Sequence, residues 1–395
     1  MTRAVPVLMN RNLLFAPGRI AGLTLPNRMV VAPMTRTSAT EDGQATDSMA
    51  RYYGKFASGG FGLVITEGIY TDRFYSQGYA HQPGIFDEIQ AAAWIPVVRA
   101  VQTAGGRIFA QLMHAGAIAQ HNRHSGETVG PSAVRPKGTQ MTIYGGAGPY
   151  QTPRATSIEE IGQAVQGFAK SALLARDVAG FDGVEIHGAN GYLIDQFLTD
   201  YTNIRSDAYS GSAADRVLFA CEVLRAVRFA VGNDFPIGIR LSQAKVNDFD
   251  HRWAGAEVDA EAIFSAIAAA RPDYLHTTEF EAWRPAFGGD SRTLAALAKQ
   301  HSGGLPVIAN GSLHDLERAV AMIEAGDADF VSIGRGALGD ASWPHRIRHS
   351  NTPASFNPEM LQPRATLENA EIRTGWREKA AAPDGDQSSN GLRNG

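Results

Sequence analysis

Short apolar segments of strand length alternate with segments of helical periodicity along most of this chain, and this alternation restricts the possible folds more than any other feature. Each apolar segment is bounded by Gly, Pro or polar residues, and a segment with apolar residues at helical spacing follows it. Strands are predicted at residues 28–34, 61–69, 107–113, 184–186, 236–241, 273–276, 306–309 and 330–333. Strand–helix repeats of this number and order predict an α/β protein with a single closed (β/α)8 TIM barrel.

The barrel is predicted to occupy residues 10–350, with an N-terminal hairpin within residues 12–27. Residues 115–156 follow the third strand, lack a clear period and are rich in Gly, Pro, Ser and Thr. A loop of this length is usually a lid or a wall of the active site. Residues 351–395 form a C-terminal extension, and its polar, glycine-rich final part is expected to be disordered.

The composition excludes several classes of partner and site. A formal net charge of −4 gives no basic surface of the kind that nucleic-acid binding requires. The single cysteine, Cys221, cannot build a disulfide framework or a cysteine-ligated metal site within one chain. No uninterrupted stretch of about 18 apolar residues indicates a membrane span. We therefore expect a cytoplasmic protein, a monomer or homodimer, without metal, membrane or nucleic-acid partners.

A cluster of polar residues follows the fourth predicted strand. His187, Asn190 and Tyr192 stand there, and Gly188 and Gly191 between them fit a tight turn. The C-terminal ends of barrel strands converge on one pocket, so these side chains are expected at its mouth. An imidazole and a carboxamide can donate to a carbonyl oxygen, and a phenol can deliver a proton beside it. Each residue alone is as readily explained by packing, but their spacing favours a catalytic site.

The last two strands are followed by residues suited to a phosphate group. Asn310-Gly311-Ser312 follows the seventh strand and opens a helix, and Gly334-Arg335-Gly336 follows the eighth. Together they offer backbone N–H groups, a hydroxyl and a guanidinium. Each glycine pair could also be a plain turn, but barrels often bind phosphate between these two loops.

Three other strand ends carry residues suited to a polar, planar ring. Thr35, Gln111 and Arg240 lie at the ends of strands one, three and five. Their hydroxyl, carboxamide and positive charge match the pyrimidine edge of an isoalloxazine ring, whose reduced form is anionic. Arg240 could also form a salt bridge with Glu185 or Glu67.

Several segments carry a resemblance to one known family. They are Leu-Thr-Leu-Pro-Asn-Arg-Met-Val-Val-Ala-Pro-Met-Thr-Arg (23–36), Ile-Thr-Glu-Gly (65–68), Gln-Leu-Met-His-Ala-Gly (111–116), Val-Glu-Ile-His-Gly-Ala-Asn-Gly-Tyr-Leu-Ile-Asp-Gln-Phe-Leu (184–198), Gly-Ile-Arg-Leu-Ser (238–242), Ala-Asn-Gly-Ser (309–312) and Ser-Ile-Gly-Arg (332–335). The segment 184–198 is the most specific of them. Over residues 14–346 the sequence resembles the Old Yellow Enzyme family of FMN-dependent ene-reductases, flavoproteins that oxidise NADH or NADPH.

The resemblance implies that FMN is the cofactor and lies across the barrel mouth. The residues that it assigns to FMN are Gly311, Ser312, Gly334 and Arg335 at the phosphate, Gln111 and Arg240 at the pyrimidine edge, and Pro33, Met34, Thr35 and Gly68 along one side of the ring. The Thr35 hydroxyl would contact flavin O4.

The resemblance also implies a reaction with ping-pong kinetics, in which NADPH or NADH delivers hydride to the flavin and an activated alkene then takes it. His187 and Asn190 would hold the carbonyl oxygen of the alkene, and the nicotinamide carboxamide in the other half-reaction. Tyr192 would be the acid. Met113 stands where many members of the family have a tryptophan, so this substrate-binding wall is expected to be pliable. The natural substrate and the preferred nicotinamide stay open.

Two other functions compete with this one. Reduction of nitro compounds or nitrate esters would use the same flavin and the same oxygen-binding pair without needing Tyr192. A flavin-free barrel lyase or isomerase would use the phosphate loops for its substrate. Such an enzyme would need a Schiff-base lysine or a set of metal-binding carboxylates at strand ends. No lysine ends any of the predicted strands, because Lys245 is expected in the loop after strand five.

Overall fold

Eight parallel strands close into a barrel in the computed structural model, which describes residues 10–374. The strands follow one another around the barrel in chain order, and the last pairs with the first. Their bounds, from first to eighth, are Met29–Val31, Leu63–Tyr70, Arg107–Met113, Gly183–Asn190, Ile237–Lys245, Tyr274–Thr278, Val307–Asn310 and Phe330–Ile333. The predicted (β/α)8 barrel is confirmed.

Helices cover the outside of the barrel and connect its strands. They are Asn12–Phe15, Asp47–Ser58, Glu88–Ala93, Ile95–Thr103, Ile158–Leu174, Leu193–Leu198, Ala213–Arg216, Leu218–Val231, Glu257–Ala269, Leu294–His301, Leu316–Glu324, Arg335–Gly339, Trp343–Arg348 and Leu367–Thr374. The predicted start near Ser157 is a capping box, in which Ser157 and Glu160 bond each other's backbone N–H groups. The predicted kink near Pro96 is a break into two helices at Trp94, because proline lacks the N–H that would continue the first.

The N-terminal hairpin closes the lower end of the barrel. Its strands Gly18–Ile20 and Leu23–Leu25 pair antiparallel, within the predicted range. Ile20 and Leu25 pack on a buried apolar cluster formed by the first halves of the strands, with members Val30, Leu63, Ile65, Phe109, Tyr274, Ile308 and Phe330. This plug fills the lower part of the barrel, and in the described part of the chain the barrel's cavity opens at the C-terminal ends of the strands.

The fourth and fifth strands are longer than predicted. The fourth runs to Asn190, so His187 and Asn190 lie within it and not after it. Gly188 was expected in a turn, but a Cβ there would lie 3.0 Å from the Arg240 carbonyl oxygen of the neighbouring strand. This glycine therefore allows close strand approach, and the turn begins at Gly191, where φ is +87°.

Lys245 is the last residue of the fifth strand, so its expected place in the following loop is wrong. The fifth strand extends beyond its apolar part because Lys245 pairs with Asn190 of the fourth strand, after a shift in register between Gly188 and Asn190.

Two connections outside the barrel build the upper wall. The loop 115–156 contains a small pair of parallel strands, Val129–Gly130 and Arg154–Ala155, and two 3-10 turns, Gly116–Ile118 and Thr142–Tyr144. The C-terminal segment returns to the barrel, where Met360, Leu367 and Ala370 are buried. The disorder predicted for the end of the chain falls outside the described residues. Within residues 10–374, no helix combines the length and apolarity needed to cross a bilayer.

Candidate active site

One cavity of about 440 Å³ opens at the C-terminal ends of the strands. It is lined by every residue predicted to bind cofactor or substrate: Pro33, Met34, Thr35, Gly68, Gln111, Met113, His187, Asn190, Tyr192, Arg240, Gly311, Ser312, Gly334 and Arg335. Residues far apart in the chain meet here because all end a strand or begin the loop after it.

His187 presents a neutral imidazole to the cavity. Its Nδ1 accepts a hydrogen bond from the Ala189 backbone N–H at 3.3 Å, so Nε2 carries the proton and can donate to a ligand. Burial lowers the pKa of His187 well below its ordinary value, and the positive charge of Arg240 acts in the same direction. The ring packs edge-on against Tyr192, with centroids 4.7 Å apart.

Asn190 ends the fourth strand in a left-handed conformation, with φ of 63°. This conformation is uncommon outside glycine, but asparagine tolerates it better than most residues. The backbone N–H of Asn190 donates to Ser242 Oγ at 2.8 Å, which fixes the bend. The carboxamide then reaches the cavity, on the same strand as His187.

Tyr192 caps the helix Leu193–Leu198, and its hydroxyl lies 2.6 Å from that of Tyr79. Burial raises the pKa of Tyr192 well above its ordinary value, so the phenol stays protonated through the physiological range. Nothing in the local pattern of residues 70–88 singled out Tyr79, which lies in the connection after the second strand.

Arg240, on the fifth strand, is held by polar side chains at the ends of the sixth and seventh strands and not by a carboxylate. Its Nη2 donates to Thr278 Oγ1 at 3.0 Å and to Asn310 Oδ1 at 2.8 Å. Among the described ion pairs none joins Arg240 to Glu185 or Glu67, so neither predicted salt bridge forms. The Nε atom is buried and has no hydrogen-bond partner among residues 10–374, so it is a donor that a ligand at the cavity can use.

A fully buried carboxylate orients Gln111. Glu185 accepts hydrogen bonds from Gln111 Nε2 at 2.8 Å, Tyr274 Oη at 3.1 Å and His276 Nδ1 at 2.8 Å. Burial pushes the pKa of Glu185 upward, but the interactions with His276, the positive charge of Arg240 and the Gln111 hydrogen bond outweigh it and hold the pKa below the ordinary value. Since its nitrogen faces Glu185, Gln111 has its carbonyl oxygen left for a ligand.

The two phosphate loops meet at one end of the cavity. Arg335 Nη2 donates to Ser312 Oγ at 2.8 Å, which joins the loop after the eighth strand to the loop after the seventh. Gly311 adopts φ of +143°, and a Cβ there would lie 2.5 Å from the Glu279 carbonyl oxygen. The backbone N–H groups of Gly311, Ser312, Gly334 and Arg335 donate to no acceptor among the described residues. This donor set fits a phosphate.

Glu67 supports the segment that carries Thr35. Its Oε2 accepts the backbone N–H groups of Arg36 at 2.9 Å and Thr37 at 3.2 Å, and its Oε1 accepts the Tyr53 hydroxyl at 3.2 Å. Burial raises the pKa of Glu67 to about 7, and these hydrogen bonds offset part of the increase. The following residue, Gly68, lies close to Met113, and a Cβ at position 68 would come within 2.5 Å of Met113 Sδ.

Several lining residues were not predicted. They come from the long loop, from the connection after the sixth strand and from the C-terminal segment: Met141, Ile143, Tyr144, Phe280, Phe356 and Leu361. The long loop was expected to supply a wall, and it does, but its lack of period gave no signal for individual side chains. Asn310 lies in the predicted phosphate loop, and Thr278, which binds Arg240 without lining this cavity, could have been found because it ends the sixth strand.

Comparison with known proteins identifies the family. Residues 13–353 match the model of the NADH:flavin oxidoreductase / NADH oxidase family. The chain is 36% identical over 334 residues to a probable flavin mononucleotide-dependent alkene reductase of Leishmania infantum, covering 83% of this chain and 88% of that protein. It is 33% identical over 346 residues to the NADH oxidase of Thermoanaerobacter brockii, covering 85% of this chain but only 50% of that protein.

A solved structure supports the same assignment. The Old Yellow Enzyme homologue from Zymomonas mobilis superposes with a TM-score of 0.80 at 32% identity, covering 90% of this chain and 99% of the other. The barrel, the donor set at its mouth and the family match agree, and they remove the flavin-free lyase or isomerase as an alternative. The chain therefore belongs to the NADH:flavin oxidoreductase / NADH oxidase family, the Old Yellow Enzyme family of FMN-dependent oxidoreductases that take electrons from a reduced nicotinamide.

Proposed function

We propose that this protein reduces the C=C bond of α,β-unsaturated carbonyl compounds with NADPH or NADH by a ping-pong mechanism. The observation that carries the proposal is the arrangement of His187, Asn190 and Tyr192 in one cavity: two donors for an oxygen and a protonated phenol beside them. A cytoplasmic location is part of the proposal, supported by the single cysteine.

The residues present fit FMN. When bound, FMN accepts hydride from the nicotinamide and returns hydride to the alkene. Ser312 and Arg335, with the backbone N–H groups of Gly311 and Gly334, would hold its phosphate. Arg240 offers the unpartnered Nε, and Gln111 offers a carbonyl oxygen whose orientation Glu185 fixes. Pro33, Met34, Thr35 and Gly68, which also line the cavity, would contact one side of the ring.

The acceptor alkene is held by its carbonyl oxygen. His187 donates from Nε2 and Asn190 from its carboxamide, so negative charge that develops on that oxygen meets two fixed donors. A donor of this kind typically lowers the barrier by about 3–4 kcal/mol. Tyr192 supplies the proton to the α-carbon, and its raised pKa keeps the proton available at neutral pH.

The cavity wall favours a largely apolar substrate. Met113 and Met141 contribute flexible thioether side chains, and Tyr144, Phe280 and Leu361 complete the wall. Methionines adapt to different shapes, so we expect a range of activated alkenes to be accepted.

The test is an absorption spectrum of the purified holoenzyme followed by two anaerobic additions. Flavin bands should bleach with NADPH and return with cyclohex-2-enone. A colourless protein that cannot be loaded with FMN would overturn the proposal, and so would bands that bleach but do not return. Return with a nitro compound but not with the enone would favour nitro reduction.

A further inference from the structure

Tyr79 contacts the proposed acid from behind the cavity wall. Its hydroxyl lies 2.6 Å from the hydroxyl of Tyr192, and both side chains are buried. A separation of 2.6 Å is at the short end of the range for O–H···O hydrogen bonds. Tyr79 does not line the cavity itself, so it has no direct access to a substrate.

The direction of this hydrogen bond matters for catalysis. A phenol has one proton, and Tyr192 must point its own into the cavity if it is to protonate a substrate. Tyr79 must then be the donor and Tyr192 the acceptor. Among the described residues the Tyr79 hydroxyl has no other hydrogen-bond partner, so nothing draws its proton away from Tyr192.

The surroundings fix Tyr79 in place. Its ring packs against Tyr144 of the long loop, with centroids 4.7 Å apart, inside an apolar cluster that also contains Met113 and Tyr150. Burial raises the pKa of Tyr79 well above its ordinary value, and its interactions with Tyr192 raise it further. Burial also raises the pKa of Tyr192, but the hydrogen bond from Tyr79 lowers it, so of the two phenols Tyr79 is the one that keeps its proton.

We propose that Tyr79 is a positioning residue for proton delivery, which keeps the Tyr192 proton directed at the substrate and stabilises the phenolate that remains after transfer. In this step the Tyr192 O–H bond breaks, and the electron pair of the enolate forms the new C–H bond at the α-carbon. The negative charge passes to the Tyr192 oxygen, where the Tyr79 O–H becomes a charge-assisted donor. Water then returns a proton to Tyr192.

The inference rests on the proposed function and predicts an effect on one half-reaction only. In a Tyr79→Phe variant, the rate of reoxidation by cyclohex-2-enone should fall by about 10- to 100-fold, the value of a hydrogen bond to a charged group. Its solvent deuterium isotope effect should rise, because proton transfer becomes more rate-limiting. Reduction by NADPH and reoxidation by a nitro compound should stay unchanged.

Tyr150→Phe is the matched control. Tyr150 belongs to the same cluster and is also buried, but its hydroxyl has no hydrogen-bond partner within the described part of the chain. Both variants should keep the FMN content and melting temperature of the wild type, so a general structural effect would appear in these values. Equal reoxidation rates and equal isotope effects for Tyr79→Phe and Tyr150→Phe would overturn the inference.

A third variant separates the inference from the function on which it rests. Tyr192→Phe should slow reoxidation by the enone at least as much as Tyr79→Phe does. If Tyr192→Phe has no effect, the acid assignment in the proposed function is wrong. If Tyr192→Phe slows the reaction and Tyr79→Phe does not, only the role of Tyr79 is wrong.

Discussion

Nε2 of Gln111 lies 2.8 Å from Oε1 of Glu185 inside the barrel, where both side chains are almost completely buried. The carboxylate thereby decides which end of the Gln111 amide faces the cavity. A residue that does not line the cavity thus fixes which atoms a cavity-lining residue presents there.

A Glu185→Gln variant should be less stable and should bind FMN more weakly. If the new amide nitrogen takes the place of Oε2, it faces the donor groups of His276 and Tyr274, which then have no acceptor there. The negative charge that strengthens the hydrogen bonds from Gln111, His276 and Tyr274 is also lost. Each such bond is worth about 1.5–3 kcal/mol. Urea unfolding and FMN titration of the apoprotein measure the two effects. Tyr274→Phe, which removes one donor only, is the control, and wild-type values in both assays would contradict the role assigned to Glu185.

A His187→Ala variant should lose about 10²- to 10³-fold in turnover of an enone, because one donor to the developing oxyanion is removed. In the wild type, the rate of flavin reoxidation by the enone, measured as a function of pH, should show no inflection from His187 between pH 6 and 8. The pKa of the imidazole is held well below its ordinary value, so it does not titrate in this range. Stopped-flow reoxidation across this pH range is the measurement. An inflection present in the wild type and missing from the variant would show that His187 titrates there.

Glu67 should make stability depend on pH near neutrality. Its pKa is about 7 in the folded protein and about 4.3 in the unfolded chain, so the folded state binds more protons between these values. The resulting stabilisation is complete below the unfolded pKa and is lost as pH rises through 7. Relative to Glu67→Gln, the free energy of unfolding of the wild type should fall by about 2–3 kcal/mol from pH 5 to 8. Parallel pH curves for the two proteins would exclude this titration.

Removal of one partner of the buried ion pair between Lys245 and Asp195 should strongly destabilise the folded protein. Their atoms Nζ and Oδ1 lie 2.8 Å apart, and Asp195 also accepts the Gly191 backbone N–H at 2.6 Å. Lys245→Met should cost about 3–5 kcal/mol, and the double variant Lys245→Met, Asp195→Asn should recover much of it. Lys137→Met, which breaks an ion pair exposed at the lysine, should cost about 1 kcal/mol or less. Urea unfolding of the four proteins gives these values.

The C-terminal segment should be part of the working enzyme. Thr366 accepts a hydrogen bond from Arg36 Nη2 at 3.1 Å, and Ala365 donates to the Ile143 carbonyl oxygen at 2.9 Å. The segment thus joins the Thr35 loop to the long loop. A chain ending at residue 351 should lose about 3–6 kcal/mol of stability, the value of burying Met360 and Leu367, and its KM for an enone should rise. A chain ending at residue 374 is the control. Equal stability and KM for the two chains would support the predicted boundary at residue 350.

The local pattern of the sequence was sufficient to predict the barrel and most of the residues at its mouth. Alternation of apolar strands with amphipathic helices depends only on neighbours a few positions apart, so it can be read without a fold. Barrel geometry then places strand ends together, which is why His187, Arg240 and Ser312 could be assigned to one cavity. The limits of the fourth strand were misjudged because a glycine that permits close strand approach has the same local signal as a glycine in a turn.

Long-range contacts were decided only by the tertiary structure. Tyr79 and Tyr192 are 113 positions apart, and their hydrogen bond exists because barrel closure brings two connections over the same strand ends. Phe356 and Leu361 reach the cavity through the return of a segment that shows no period. Likewise, the partner of Arg240 depended on which of several polar groups the closed barrel placed within hydrogen-bond distance. The sequence by itself thus determined the barrel and the residue types at its mouth, whereas closure of the chain determined which of those residues bond one another.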